Sequence, residues 1–218
     1  MAGSRNTPVT VLLVDDHAVV REGYRRLLER HGDIVVIGEA ADAAEAHTLF
    51  RQFAPQIVVM DITLPGISGI EVMRRMLEHE PDARVLIFSM HDDVIFAKRA
   101  LQAGAYGYVT KSSAPNVLVA AVHTVASGKK YLSPTVAQDL ALLAVSLDKA
   151  ASYDLSAREF EVLRLLLRGH SVNDIAQSLG INRKTVSNHQ TAIKQKLGAD
   201  TAIQLLRIAN RLGLESSN

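Results

Sequence analysis

Residues 57–72 read Ile57-Val-Val-Met-Asp61-Ile-Thr-Leu-Pro65-Gly-Ile-Ser-Gly-Ile70-Glu-Val72. Four apolar, mostly β-branched residues end abruptly on an aspartate, and an amphipathic stretch follows within nine residues. A short run of that kind is a strand buried on both faces, leaving a carboxylate at its carboxyl end. Working outward, the same pattern recurs. The further strands expected are Thr10–Val14, Ile34–Gly38, Val85–Ser89 and Tyr106–Val109. Between and after the strands lie helical stretches near Val19–Arg30, Ala43–Phe53, Ile70–His79, Val94–Ala103 and Pro115–Ser127, with Pro115 suited to a first helical turn. Five βα units in about 120 residues imply an α/β fold, a doubly wound five-stranded parallel sheet.

The pattern then changes. Ser133-Pro134 opens a mostly apolar stretch to Leu147, and the small polar segment Asp148–Asp154 is a plausible hinge. From Leu155 no strand pattern remains, and helices are expected at Ala157–Arg168, Val172–Leu179, Arg183–Leu197 and Thr201–Leu212. The expected organisation is therefore a first domain at 9–128, a linker with a helix at 129–152, and an all-α domain at 153–214.

Composition bounds the function. Of the 218 residues 48% are hydrophobic and 22% charged, an ordinary globular balance, and the longest apolar runs are far too short to span a bilayer. The polar stretch Met1 to Pro8 lacks the apolar core of a signal peptide. Cysteine is absent, which excludes disulfides and thiolate metal sites and fits a cytoplasmic protein. The formal net charge of +1 hides an asymmetry: residues 152–218 carry +3 and the rest −2, so the basic end is where nucleic acid would bind.

Ligands of an open parallel sheet bind outside the carboxyl ends of its strands. Those ends offer Asp15 and Asp16, Asp61, Ser89 and Lys111. Clustered carboxylates suit a hard cation such as Mg²⁺, and a carboxylate beside that cation and a lysine can take up a phosphoryl group. Singly, each residue has a structural reading: the Asp pair and Ser89 as helix caps, Lys111 as a solvated surface charge.

Within the second half, Ser156 and Glu159 form a capping-box start. A short helix, a turn at Gly180 and a longer helix follow. Ile175, Ala176 and Leu179 line one face of the first helix, while Val186, Ile193 and Leu197 recur at helical spacing on the second. From Ile181 to Leu197 there are four basic residues and no acidic one, the uncompensated charge that phosphate contacts require. A helical protein-binding module is the bland alternative. None of the other histidines stands at metal-ligand spacing.

Over residues 9–128, the segments LLVDDH, VVMDITLPGISGIEV, LIFSMHD and GAYGYVTKSS resemble the receiver domains of two-component response regulators. The resemblance implies that Asp61 is the phospho-acceptor and that Asp15, Asp16, Asp61 and the carbonyl of Thr63 hold Mg²⁺. Ser89 and Lys111 would contact the phosphoryl oxygens, and Tyr108 would be the aromatic that reorients with Ser89. Ser112 follows the lysine where many receivers have proline. Residues 153–212 resemble the LuxR-type helix-turn-helix, and the combination is similar to the NarL/FixJ subfamily. By that match Ser187, Asn188 and Thr191 face bases, while Lys184, Thr185, His189, Lys194 and Lys196 contact phosphates.

The function this implies is regulation of transcription: a sensor histidine kinase phosphorylates Asp61, and the active homodimer binds double-stranded DNA. No membrane association is expected, and no enzymatic activity beyond self-catalysed transfer to Asp61 and its slow dephosphorylation. A haloacid-dehalogenase-type phosphatase is set aside, because the position two after Asp61 is Thr63 rather than an acid. A phosphorylation-independent LuxR-type factor with a vestigial receiver is the alternative. A signalling adaptor without DNA binding would lack the basic helix.

Overall fold

The computed structural model describes residues 7–92, 94–146 and 155–199, together with 201, 204, 205 and 208. The chain divides into two compact units, Met1–Leu143 and Ala144–Asn218.

The first unit alternates strands and helices: β1 (Val9–Val14), α1 (Ala18–Glu29), β2 (Ile34–Ala40), α2 (Ala43–Phe53), β3 (Ile57–Met60), α3 (Gly69–His79), β4 (Val85–Ser89), α4 (Val94–Gln102), β5 (Gly107–Thr110), α5 (Pro115–Ala126) and β6 (Tyr131–Leu132). Helix α6 (Pro134–Ser146) begins in this unit. All strands pair in parallel, in the order β2-β1-β3-β4-β5-β6. Every residue of β3, β4 and β5 is buried, as strands covered by helices on both faces must be. One side of the sheet packs Val11, Leu13, Val59 and Phe88 against Leu28, Leu118, Val122 and Val125. At the ends of these elements the backbone follows local chemistry. Asp42 caps α2 by accepting hydrogen bonds from the Ala44 and Glu45 N–H groups. Pro115 occupies the first turn of α5.

The sheet has six strands where the sequence pattern gives five. Tyr131–Leu132 is too short to show any alternation, yet the chain leaving α5 returns beside β5. Tyr131 N–H donates to Tyr106 O and Ser133 N–H to Tyr108 O, each at 3.0 Å. Gly107 permits the approach, since a Cβ there would stand 2.5 Å from the Tyr131 carbonyl oxygen.

The second unit is helical over its described residues: α7 (Ala157–Leu167), α8 (Val172–Ser178) and α9 (Arg183–Leu197). Both α7 and α8 start with complete capping boxes, Ser156 with Glu159 and Ser171 with Asp174. Gly198, left-handed at φ 62°, ends α9. Phe160, Leu163, Ile175, Leu179, Val186, Ile193 and Leu197 form the buried interior. The expected hinge Asp148–Asp154 lies outside the described residues. So does most of the expected helix Thr201–Leu212, including Ile203, Leu206 and Leu212.

Candidate functional site

Because β1 sits between β2 and β3, the sheet reverses direction of growth there, and the carboxyl ends of β1 and β3 border a crevice. Asp15 follows β1 and Asp61 follows β3; both are buried. Lys111 Nζ donates to Asp15 Oδ2 and to Asp61 Oδ2, each at 2.5 Å. Desolvation alone would lower the lysine, but the Asp61 and Asp15 carboxylates outweigh it and hold its pKa above the ordinary value. Burial pushes the Asp61 carboxyl up against the pull of Lys111, and Asp15 adds to the rise. Two carboxylates around one ammonium leave an uncompensated negative charge in a dry crevice, which favours capture of a cation.

Ser89 closes β4 and is wholly buried. Its carbonyl accepts the Lys111 N–H at 2.8 Å, so the β4–β5 ladder sets the separation of serine and lysine. Thr63 N–H donates to Asp61 Oδ1 at 3.2 Å, and its hydroxyl lies 3.1 Å from His91 Nε2. The His91 ring stacks on Phe96 with centroids 4.2 Å apart. Tyr108 points inward, fully buried, and its hydroxyl donates to the His91 carbonyl at 2.7 Å. After Lys111, Ser112 Oγ donates to Thr110 Oγ1 at 3.2 Å, so hydroxyls organise a turn that many receivers build with proline.

Asp16 lies at the same rim. Its Oδ1 is buried without a hydrogen-bond partner, although His17 Nδ1 stands 2.6 Å away in an unaligned orientation. An orphaned carboxylate oxygen beside two further carboxylates is a donor set that fits Mg²⁺. The residues that reading assigns to phosphate chemistry, Asp15, Asp16, Asp61, Thr63, Ser89 and Lys111, thus meet at one edge of the sheet.

Two further residues shape this site without any mark in the pattern of strands. A Cβ on Gly69 would stand 1.9 Å from the Asp61 carbonyl oxygen, so only glycine lets α3 start here. Arg21, on α1, donates to the Asp15 carbonyl and pairs with Glu39 at 3.4 Å. Its place on the helical face was visible; its partners were not.

In the second unit the turn between α8 and α9 passes through Gly180, at φ 60°. It is held from beneath by the buried Arg158, which donates to Leu179 O and to Glu161, each at 2.6 Å. Asn182 caps α9, accepting from the N–H of Thr185 at 2.8 Å. On α9 the side chains of Lys184, Ser187, Asn188, Thr191 and Lys194 are exposed and share one face. Gln195, exposed one turn beyond Thr191, extends that row and escaped the sequence reading. Ser187 and Thr191 hydroxyls donate to the carbonyls of Arg183 and Ser187, so they are parked on their own helix.

The other three candidates are placed differently. Thr185 is half-buried and its hydroxyl donates to Asn182. Lys196 Nζ donates to Glu159 Oε2 at 2.8 Å and so ties α9 to α7. His189 is half-buried beside the same cluster. Desolvation lowers its pKa, helped by the Arg158 and Lys196 cations and opposed by Glu159, which favours the neutral imidazole.

An aspartate–lysine–serine site at a parallel-sheet switch point, followed in the chain by a basic helix-turn-helix, defines a phospho-receiver joined to a DNA-binding domain. A family model for the response regulator receiver domain matches residues 11–123, and one for bacterial regulatory proteins of the luxR family matches residues 153–209. The chain belongs to the two-component response regulators of the NarL/FixJ subfamily. It is 35% identical to the response regulator UvrY of Escherichia coli K12 over 208 residues, 94% of this chain and 95% of that one. A crystal structure of a LuxR-family response regulator from an Aurantimonas species matches with 51% identity and a TM-score of 0.62, covering 63% of this chain and 99% of the other. RcsB of Salmonella enterica serovar Typhimurium, bound to promoter rprA in the presence of the phosphomimetic BeF3−, matches with 26% identity and a TM-score of 0.64. That match covers 93% of this chain and 98% of RcsB.

Proposed function

We propose that a sensor histidine kinase phosphorylates Asp61 in a Mg²⁺-dependent reaction, and that the phosphorylated chain dimerises on DNA to regulate transcription. The observation that carries this reading is Lys111 bridging Asp61 and Asp15 beside the buried Ser89. An Asp61 carboxylate oxygen attacks the phosphorus of the kinase's phosphohistidine; an acyl phosphate forms as the N–P bond breaks. Lys111 then transfers its contact from the carboxylate to a phosphoryl oxygen, and the Ser89 hydroxyl donates to another. Asp15, Asp16, Asp61 and the Thr63 carbonyl would hold Mg²⁺, which would supply positive charge to offset that of the phosphoryl group. The buried Tyr108 already occupies the inward position that an engaged Ser89 would favour, so phosphorylation biases an existing rotamer.

RcsB, a relative bound to a promoter in the presence of a phosphomimetic, supports DNA binding by the phosphorylated form here. The exposed stripe of α9 enters the major groove, with Ser187, Asn188 and Thr191 at base edges and Lys184 and Lys194 on phosphates. Two copies would bind half-sites about one DNA turn apart. The protein works in the cytoplasm as a switch rather than a turnover enzyme; among the described residues no helix is long and apolar enough to cross a membrane.

The test is DNA affinity with and without acetyl phosphate and Mg²⁺, for wild type and Asp61→Asn. A gain in affinity that needs Asp61 is expected. Equal binding in every condition would replace this reading with that of a phosphorylation-independent LuxR-type factor.

A further inference from the structure

We propose that His17 supplies a nitrogen ligand to the cation site beside Asp61, so that the site holds first-row transition dications such as Mn²⁺ more firmly than Mg²⁺. This rests on the reading that Asp15, Asp16 and Asp61 hold a divalent ion.

His17 directly follows the acidic pair and stands at the N-cap of α1, but its side chain makes no capping hydrogen bond. Its imidazole instead turns back over the pair. Nδ1 lies 2.6 Å from Asp16 Oδ1 and 3.3 Å from Asp15 Oδ1, and one ligand atom from each of the three residues lies within 4.8 Å of the others. Two neighbouring ligands on a dication with bonds of about 2.1 Å stand roughly 3 Å apart. The two observed separations bracket that value. Asp16 Oδ1 is buried and takes no hydrogen bond, even from the nitrogen beside it. The Asp16 oxygen and Nδ1 thus stand at the spacing of two ligands on a common centre.

The chemistry of the added donor decides the preference. Mg²⁺ sheds its waters reluctantly and favours oxygen ligands, so an exposed imidazole gains it little. Imidazole binds first-row transition dications far better, and a mixed set of carboxylates and one imidazole suits them. His17 is 66% exposed and its side chain gives α1 no capping hydrogen bond, so replacing it should leave the receiver folded.

The experiment uses the full chain, wild type and His17→Ala, titrated separately with Mn²⁺ and Mg²⁺ by calorimetry, with pulsed EPR on the Mn²⁺ form. Wild type should show a ¹⁴N coupling to Mn²⁺ that His17→Ala lacks. The substitution should weaken Mn²⁺ binding about tenfold while changing Mg²⁺ binding less than twofold. No ¹⁴N coupling in wild type, or an equal loss for both ions, would overturn the role of His17 while leaving the oxygen-ligated cation site intact. If wild type binds neither ion, the cation site itself is wrong and His17 falls with it.

Discussion

At the scale of single residues, charge alone does not say what a lysine does. Lys184 and Lys194 are exposed on the outer face of α9, whereas Lys196 is bonded to Glu159. Lys184→Ala or Lys194→Ala should weaken binding to all DNA sequences alike. Each should make the slope of log affinity against log salt shallower by about one, read from affinities across a salt series. Lys196→Ala should instead cost stability, roughly 0.5–1 kcal/mol for a part-exposed pair. Burial alone would raise the Glu159 carboxyl, but Lys196 and Ser156 more than offset it and hold it below the ordinary value. A depressed folded pKa gives stability that is present above the unfolded value near ~4 and lost as pH falls through the folded one. The difference in unfolding free energy between wild type and Lys196→Ala should therefore shrink toward zero in acid. A difference that persists undiminished at low pH would refute the pairing. This division was not legible in sequence: helical spacing placed Glu159 in a capping box, but nothing in it reveals a partner 37 residues away.

At the scale of elements, most boundaries were legible because each follows from a local cause. Helices α2 and α9 span Ala43–Phe53 and Arg183–Leu197, the ranges expected from the sequence, and the structure adds their N-caps, Asp42 and Asn182. What sequence could not show were demands made by distant backbone. Gly69 reads as an indifferent residue before a helix, yet the Asp61 carbonyl occupies the space of its Cβ. Gly69→Ala should destabilise the receiver by on the order of 3 kcal/mol in chemical denaturation and slow phosphorylation by displacing Asp61. Gly107 is likewise required by β6. In Gly107→Ala, hydrogen exchange at the amides of Tyr131 and Ser133 should accelerate, because those N–H groups depend on the carbonyls of Tyr106 and Tyr108 on either side of Gly107. Unchanged protection at both would show that β6 tolerates the methyl group.

At the scale of the whole molecule, each unit carries its own chemistry: one holds a charge-sensitive crevice and the other a basic helix. Ser89 stands at the site and on the strand beside that of Tyr108, the place from which the proposed switch would be read. Ser89→Ala should still accept phosphate at Asp61, seen as a retained mobility shift on phosphate-affinity gels. It should lose most of the phosphorylation-dependent gain in DNA affinity, a coupling of about 5- to 150-fold in such systems. Retention of the full gain would place the switch elsewhere.

The stripe formed by Ser187, Asn188 and Thr191 carries a consequence for how such regulators diversify. These side chains are exposed, and among the described residues the two hydroxyls bond to carbonyls of their own helix. Surface positions of this kind tolerate substitution within about 0.5 kcal/mol. Duplicated copies of the gene can therefore change this face one residue at a time, each intermediate still folded.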